Sequence, residues 1–328
     1  MNILVFGGTG FVGINIASAL LARGHTVTLF DRAALPRAAV LAFAGPGDAL
    51  NVVNGDITDS RTVESVIARG FDAVVLGAAI TAGPAREAAD PQSILHVNLM
   101  AQLPVLTAAY RHSVGRVINL SSGSALGAAA FRHTLLDEET PCEPVSLYAI
   151  TKHASERVAA RVAALWQADI ISVRLSGVFG PWERGTGVRD TLSPQMQIIA
   201  ALRERKEAVL PRPGIRDWIY ASDVADAVAV LVEAPKPKHG LYNISTGNEW
   251  TALQWGQHLV DLNPGFVCRL AKPGEAPTVD LHGDADRAPL SITRMAEEFG
   301  WRARFGCGDS AADLNDWWAR HGDGMVPV

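Results

Sequence analysis

The stretch "NILVFGGTGFVG" (residues 2–13) decides how the rest of the chain folds. Its first half is a short apolar run with β-branched residues, which reads as a buried strand. Glycine interrupts the run at residue 7, and from Phe11 to about residue 23 the pattern becomes helical. A strand that turns through glycines into a helix makes a cradle for phosphate. Gly7 permits the tight turn, Gly10 lets backbone approach a pyrophosphate, and Gly13 allows close packing of helix on sheet. The helix N-terminus presents unpaired N–H groups and the positive end of its dipole. These features predict a dinucleotide site, with the spacing GxxGxxG rather than GxGxxG.

Outward from this unit the same rhythm repeats. Strand-like runs at 26–30, 51–55, 72–78, 116–121 and 170–175 alternate with helix-like segments at 60–69, 91–112 and 148–166. The alternation predicts an α/β fold, a doubly wound parallel (Rossmann) sheet, over residues 1–175. After residue 176 Gly and Pro become frequent, in "GVFGPWERGTG", "LPRPGIRDW" and "APKPKHG". A smaller, loop-rich substrate lobe is expected over 176–328, with "GLYNIST" (240–246) rejoining the large sheet. "WERGTG" (182–187) and the tryptophans Trp301, Trp317 and Trp318 are expected to serve packing.

Length and composition narrow the function. At 328 residues the chain is long enough to bury a large core. A net charge of -5 argues against a dedicated nucleic-acid binder, and "RERK" (203–206) reads as a solvated helix face. No apolar run is long enough for a membrane span, and the first residues lack the basic region of a signal peptide. Cys142, Cys268 and Cys307 are too far apart for a metal knuckle or CxxC pair, which suits a reducing cytoplasm. The nine histidines include no HExxH-like pair, so no metal is expected.

Asp31 ends the second strand, where an acidic residue binds a ribose diol and repels a 2′-phosphate. It favours NAD, while Arg32, a guanidinium able to accept that phosphate, leaves NADP open. Asp56 in "GDI" reads either as an adenine contact or as a turn or helix-cap aspartate. Beside a dinucleotide, Tyr148 and Lys152 of "SLYAITKHASE" (146–156) acquire a chemistry, since four-residue spacing puts both on one helix face. A phenol, with a pKa of about 10, is a poor base at neutral pH. An ammonium one turn away, with a positive nicotinamide, would stabilise phenolate and let Tyr148 exchange a proton with a substrate hydroxyl. The serines of "INLSSGS" end the fifth strand at the sheet's carboxyl edge, placed to hold the substrate oxygen.

Nine pieces now line up: "GGTGFVG", "GDI", "GAA" (77–79), Asn98 in "HVNLMAQ", "LSSGSALG", "YAITK", "RLSGVFGP", "RDWIYASDVADA" and "FGW" (299–301). In this order, along nearly the whole chain, they resemble the extended short-chain dehydrogenase/reductases, the NAD-dependent epimerase/dehydratase family. The resemblance implies that Phe11, Val12, Ile57, Gly77, Ala78 and Ala79 border the cofactor. It makes Tyr148 the acid/base and Lys152 the residue that tunes it and binds the nicotinamide ribose. Ser122 aligns with the hydroxyl that orients the substrate, with Ser124 as the alternative. Asn98 aligns with an asparagine that positions a water behind the lysine.

Arg216 matches an arginine that often meets a substrate's phosphate or carboxylate, and an ion pair with Asp217 or Asp223 is its structural alternative. Arg287 is a second candidate anion contact. Gly177 stands where nucleotide-sugar epimerases carry a substrate-contacting asparagine, Leu126 replaces an aromatic residue near the sugar, and Gly123-Ser124 replace the Asp-Glu pair of dehydratases. The implied activity is NAD-dependent hydride transfer at a secondary alcohol or ketone of a sugar-like, anionic substrate. Nucleotide-sugar epimerisation is the alternative, and a non-catalytic dinucleotide sensor a third possibility. Pairing of helices 91–112 and 148–166 in relatives implies a homodimer.

Overall fold

A computed structural model describes residues 1–45 and 47–322 of the chain. Its main sheet contains β1 (Asn2–Phe6), β2 (Thr26–Asp31), β3 (Leu50–Asn54), β4 (Ala73–Leu76), β5 (Arg116–Ser122), β6 (Ile170–Leu175) and β7 (Leu241–Ile244). All pairings are parallel, in the order β7-β6-β5-β4-β1-β2-β3. Alternate residues enter opposite cores, as the two-residue strand period requires. Ile3, Val5, Val27 and Leu29 face one, and Leu4, Phe6, Phe30 and Val74 the other. Strands covered on both faces read as continuous apolar runs. Edge strand β3 departs from this, and its Val52 is exposed.

Helices α1 (Phe11–Ala22) and, from far along the chain, α5 (Ala221–Glu233) cover the first face. Helices α2 (Ser60–Ile67), α3 (Gln102–Arg111) and α4 (Leu147–Trp166) cover the second. Arg23 at the end of α1 pairs with Asp226 and Glu233 of α5, fastening the two helices side by side. Thus α5 and β7, both beyond residue 175, belong to the sheet and its covering layer.

The helix expected over 91–112 is interrupted. Pro91–Leu95 leads into a π-helical turn at His96–Met100 before α3 resumes. Pro104 has no N–H to give the carbonyl four residues back, so the regular ladder cannot pass this point. Remaining segments pair in short strands, such as Ile215–Arg216 with Trp250–Thr251, around buried Phe179, Tyr220 and Trp255. Trp301, Trp317 and Trp318 are buried in this same core. No helix among the described residues is long and apolar enough to cross a membrane.

The chain leaves β1 for β2 on one side and reaches β4 on the other. That reversal opens a crevice at the strands' carboxyl ends, the usual ligand position in such sheets.

Candidate active site

A cavity of about 1140 Å³ occupies this crevice, running from the glycine turn to Arg216 and Arg287. At its start Gly7 has φ +73°, and a Cβ there would lie 2.7 Å from the Ala78 nitrogen. A Cβ at Gly13 would lie 2.3 Å from the Gly7 carbonyl oxygen, so neither position accepts a side chain. Helix α1 begins at Gly10 without a side-chain cap, and Phe11, Val12 and Gly13 of its first turn line the cavity. A groove bounded by bare backbone and an uncapped helix start fits a pyrophosphate.

Around this groove the other expected cofactor residues find their places. Asp31 accepts from the amides of Thr9 at 3.2 Å and Ala33 at 3.1 Å, so it braces the glycine turn while facing the cavity. Arg32 is exposed at the same mouth. Asp56 accepts from Thr58 N and Oγ1, both at 2.8 Å, and the Thr58 backbone bond holds its carboxyl below the usual range. Those are the bonds of a turn aspartate, though Asp56 and Ile57 remain on the wall. Gly77, Ala78 and Ala79 form the opposite side.

Beyond the glycine turn stand the candidate catalytic groups. Ser146 caps α4 by accepting from the Ala149 amide at 3.1 Å, which starts the helix immediately before Tyr148. Lys152 is buried, and its Nζ donates to the Leu120 carbonyl at 2.7 Å, lying 5.8 Å from the Tyr148 ring centroid. Burial pushes the ammonium down to about 8, with Glu156 opposing. Burial also raises the Tyr148 phenol, opposed by hydrogen bonding with Ser122, by the Arg189 charge and by Thr81. The sequence assigned this lowering to Lys152. Its ammonium lies over the Tyr148 ring at 5.8 Å while it is bonded to the Leu120 carbonyl.

The two serines take different positions. Ser122 Oγ, beside the phenol, accepts from Ser124 N at 3.1 Å and Ser124 Oγ at 2.9 Å. Ser124 therefore stands one bond behind Ser122. Asn98 is wholly buried, with Oδ1 accepting from Ile80 N at 2.7 Å. Its Nδ2 donates to Ile80 O at 2.9 Å and Thr151 Oγ1 at 3.3 Å. These bonds fasten the loop after β4 to the catalytic helix.

Lys152 carries a pH prediction. Its ordinary value is 10.5 and its folded value about 8, so between them the unfolded chain binds more protons than the folded one. Stability should therefore rise with pH across this window, as the cost of the buried ammonium is relieved. Lys152→Met should flatten that rise in urea unfolding followed against pH. An unchanged slope would refute the assignment.

At the far end, Gly177 lines the cavity and leaves no room for a side chain. A Cβ there would lie 2.5 Å from the Trp218 ring, over which the Arg216 guanidinium stacks at 4.7 Å. Neither ion pair considered for Arg216 is made. Asp217 is engaged by Ser176, Ser245, the Leu290 amide and Arg287, and Asp223 accepts from the amides of Arg304 and Phe305. Arg216 has no carboxylate partner among the described residues, and burial with the nearby Arg287 lowers it to about 10. Arg287 is neutralised by Asp217 at 2.9 Å and donates to Ser176 Oγ at 2.6 Å.

Residues 3–245 match the model of the NAD dependent epimerase/dehydratase family. The chain belongs to this family. It is an enzyme of NAD-dependent hydride chemistry. The dTDP-glucose 4,6-dehydratase of Streptomyces niveus is 26% identical over 97% of this chain and 93% of its own. The UDP-glucose 4-epimerase of Corynebacterium glutamicum is 26% identical over 92% and 90%. The UDP-N-acetylglucosamine 4-epimerase of Methanobrevibacter ruminantium M1 superposes with a TM-score of 0.82 at 22% identity, covering 97% of this chain and 98% of that one.

Several wall residues of this epimerase/dehydratase family member escaped the sequence. Thr81 lies two residues past "GAA", and Arg184 and Arg189 lie in or just after "WERGTG". Folding divides that segment: Trp182 packs edge-on against Trp317 at 4.9 Å, while Arg184 lines the cavity. Two arginines in an aperiodic glycine-rich loop were the available signal. Folding also gathers Cys142, His153 and Glu156, whose donor atoms lie within 4.8 Å of one another. Arg174 already donates to Cys142 Sγ at 3.1 Å and Glu156 Oε2 at 2.8 Å, and a guanidinium there opposes a metal cation.

Proposed function

We propose that this enzyme transfers hydride at a secondary alcohol or ketone of an anionic, sugar-like substrate. The observation that carries it is the juxtaposition, in one cavity, of Ser122 and Tyr148 with Arg216, a cation that makes no ion pair with a carboxylate among the described residues. Ser122 orients the reacting oxygen, and Tyr148 takes or returns its proton. Lys152 holds the nicotinamide ribose, and Arg216 meets the substrate anion. NAD, when bound along Gly7–Gly13, accepts or returns the hydride.

The second reading is nucleotide-sugar epimerisation by transient hydride transfer. It is favoured by the relatives named as UDP-glucose 4-epimerases and by a cavity large enough for a long substrate. A dinucleotide sensor is disfavoured by the retained Tyr148 and Lys152. Incubating sugars, sugar acids and nucleotide sugars with NAD decides between them. Net NADH absorbance marks oxidation, whereas a new epimer without NADH marks epimerisation. No turnover of any of them would sink both.

We further propose that residues 1–175 with β7 hold the cofactor and that much of 176–328 builds the substrate side. Exposed Met100, Tyr110, Ile150 and Leu165, on and around α3 and α4, suggest a homodimer face. A monomer in analytical ultracentrifugation would overturn it. Three unpaired thiols fit a cytoplasmic location, which cell fractionation tests.

A further inference from the structure

We propose that residues 183–190 form a strap over the phosphate-binding part of the NAD cleft, and that Arg184 donates from it to a cofactor phosphate. The base of the strap is pinned. Glu183, with no exposed side-chain surface, accepts from Ser193 N and Oγ, each at 2.7 Å, and pairs with Arg189 at 3.3 Å. On one rim, Arg184 Nη2 donates to the Thr9 carbonyl of the glycine turn at 2.8 Å. Arg189 lies 5.6 Å over the ring of Phe11, the first residue of α1.

The opposite rim is the loop after β4. Thr81 N donates to Val188 O at 2.7 Å, and Gly83 N to Asp190 Oδ2 at 2.8 Å. Arg86 pairs with Asp190 at 2.6 Å and donates to Gly187 O at 2.8 Å. The strap thus joins the turn after β1 to the loop after β4, the two loops that bound the crevice at the switch point. On this proposal, release of NAD past the strap requires some of these ties to open.

Arg184 has the chemistry for the contact. Among the described residues its hydrogen-bond partners are the carbonyls of Thr9 and Trp182 and include no carboxylate. Asp31, the nearby anion, is engaged by two amides. A half-buried guanidinium with carbonyl partners, beside an uncapped helix start, is matched by a phosphate oxygen.

The inference rests on NAD use, and the ligands of the test separate the two. Binding of NAD, ADP-ribose and adenosine is measured calorimetrically on wild type, Arg184→Ala and Arg184→Lys, with thermal melts to confirm folding. Arg184→Ala should weaken NAD and ADP-ribose about 10-fold, the worth of one charge-assisted hydrogen bond. Adenosine should be unaffected, and Arg184→Lys should fall between. Equal weakening of adenosine would make Arg184 a brace of the glycine turn, and no weakening would remove its phosphate contact. Stopped-flow release of NADH from Asp190→Ala should be several-fold faster than from wild type, and an unchanged rate would overturn the strap. Wild type failing to bind NAD would instead refute the cofactor assignment.

Discussion

Tyr148→Phe is expected to lower kcat by about 1000-fold, the middle of the range for removing a positioned acid/base, with NAD affinity essentially unchanged. The substitution keeps the ring that packs at the start of α4 and removes only the oxygen facing Ser122. Without it, a proton leaving the substrate hydroxyl loses the acceptor that stands beside Ser122. Burial alone raises the phenol, so its activity as a base depends on opposing influences: Ser122, Arg189 and Thr81 in the protein, and the positive nicotinamide ring when NAD is bound. Steady-state kinetics on the identified substrate, with calorimetric titration of NAD, checks the prediction. Activity within tenfold of wild type would remove Tyr148 from the chemistry.

The second large effect is on stability. Glu156→Ala should destabilise the fold by about 3–5 kcal/mol, because it strands a buried guanidinium. Arg174 and Glu156 side chains are 4% and 5% exposed, and they meet twice, Nε to Oε1 at 3.0 Å and Nη2 to Oε2 at 2.8 Å. Ser121 donates to the same Oε1, so one carboxylate joins α4 to both β5 and β6 directly below Ser122 and Lys152. Replacing both partners with apolar residues of similar volume, Glu156→Leu with Arg174→Met, should recover most of the loss, since no charge is then left unpaired. Urea unfolding measures all three proteins. A single-variant loss below about 1 kcal/mol, typical of a surface pair, would show that the pair is not isolated from water.

The architecture was legible because its causes are local. A strand covered on both faces must be apolar throughout, a turn at φ +73° calls for Gly7, and four-residue spacing aligns Tyr148 and Lys152 on one face of α4. The π-helical turn before α3 was not read, although Pro104 was in view, because a proline signals a broken ladder without saying how the break is accommodated.

Within the site, the sequence by itself determined the cofactor turn, the hydroxyl at the end of β5 and the tyrosine–lysine helix. Only the tertiary structure decided what those groups touch. Lys152 binds the Leu120 carbonyl, Asn98 fastens Ile80, and Gly177 makes room for Trp218. Arg216 stands clear of the acids adjacent in sequence, while Arg184 reaches Thr9 across 175 residues. Periodicity and turn chemistry act over a few residues, so they specify elements. Hydrogen bonds and ion pairs between loops depend on which distant groups packing brings within about 3 Å, and no local pattern encodes that.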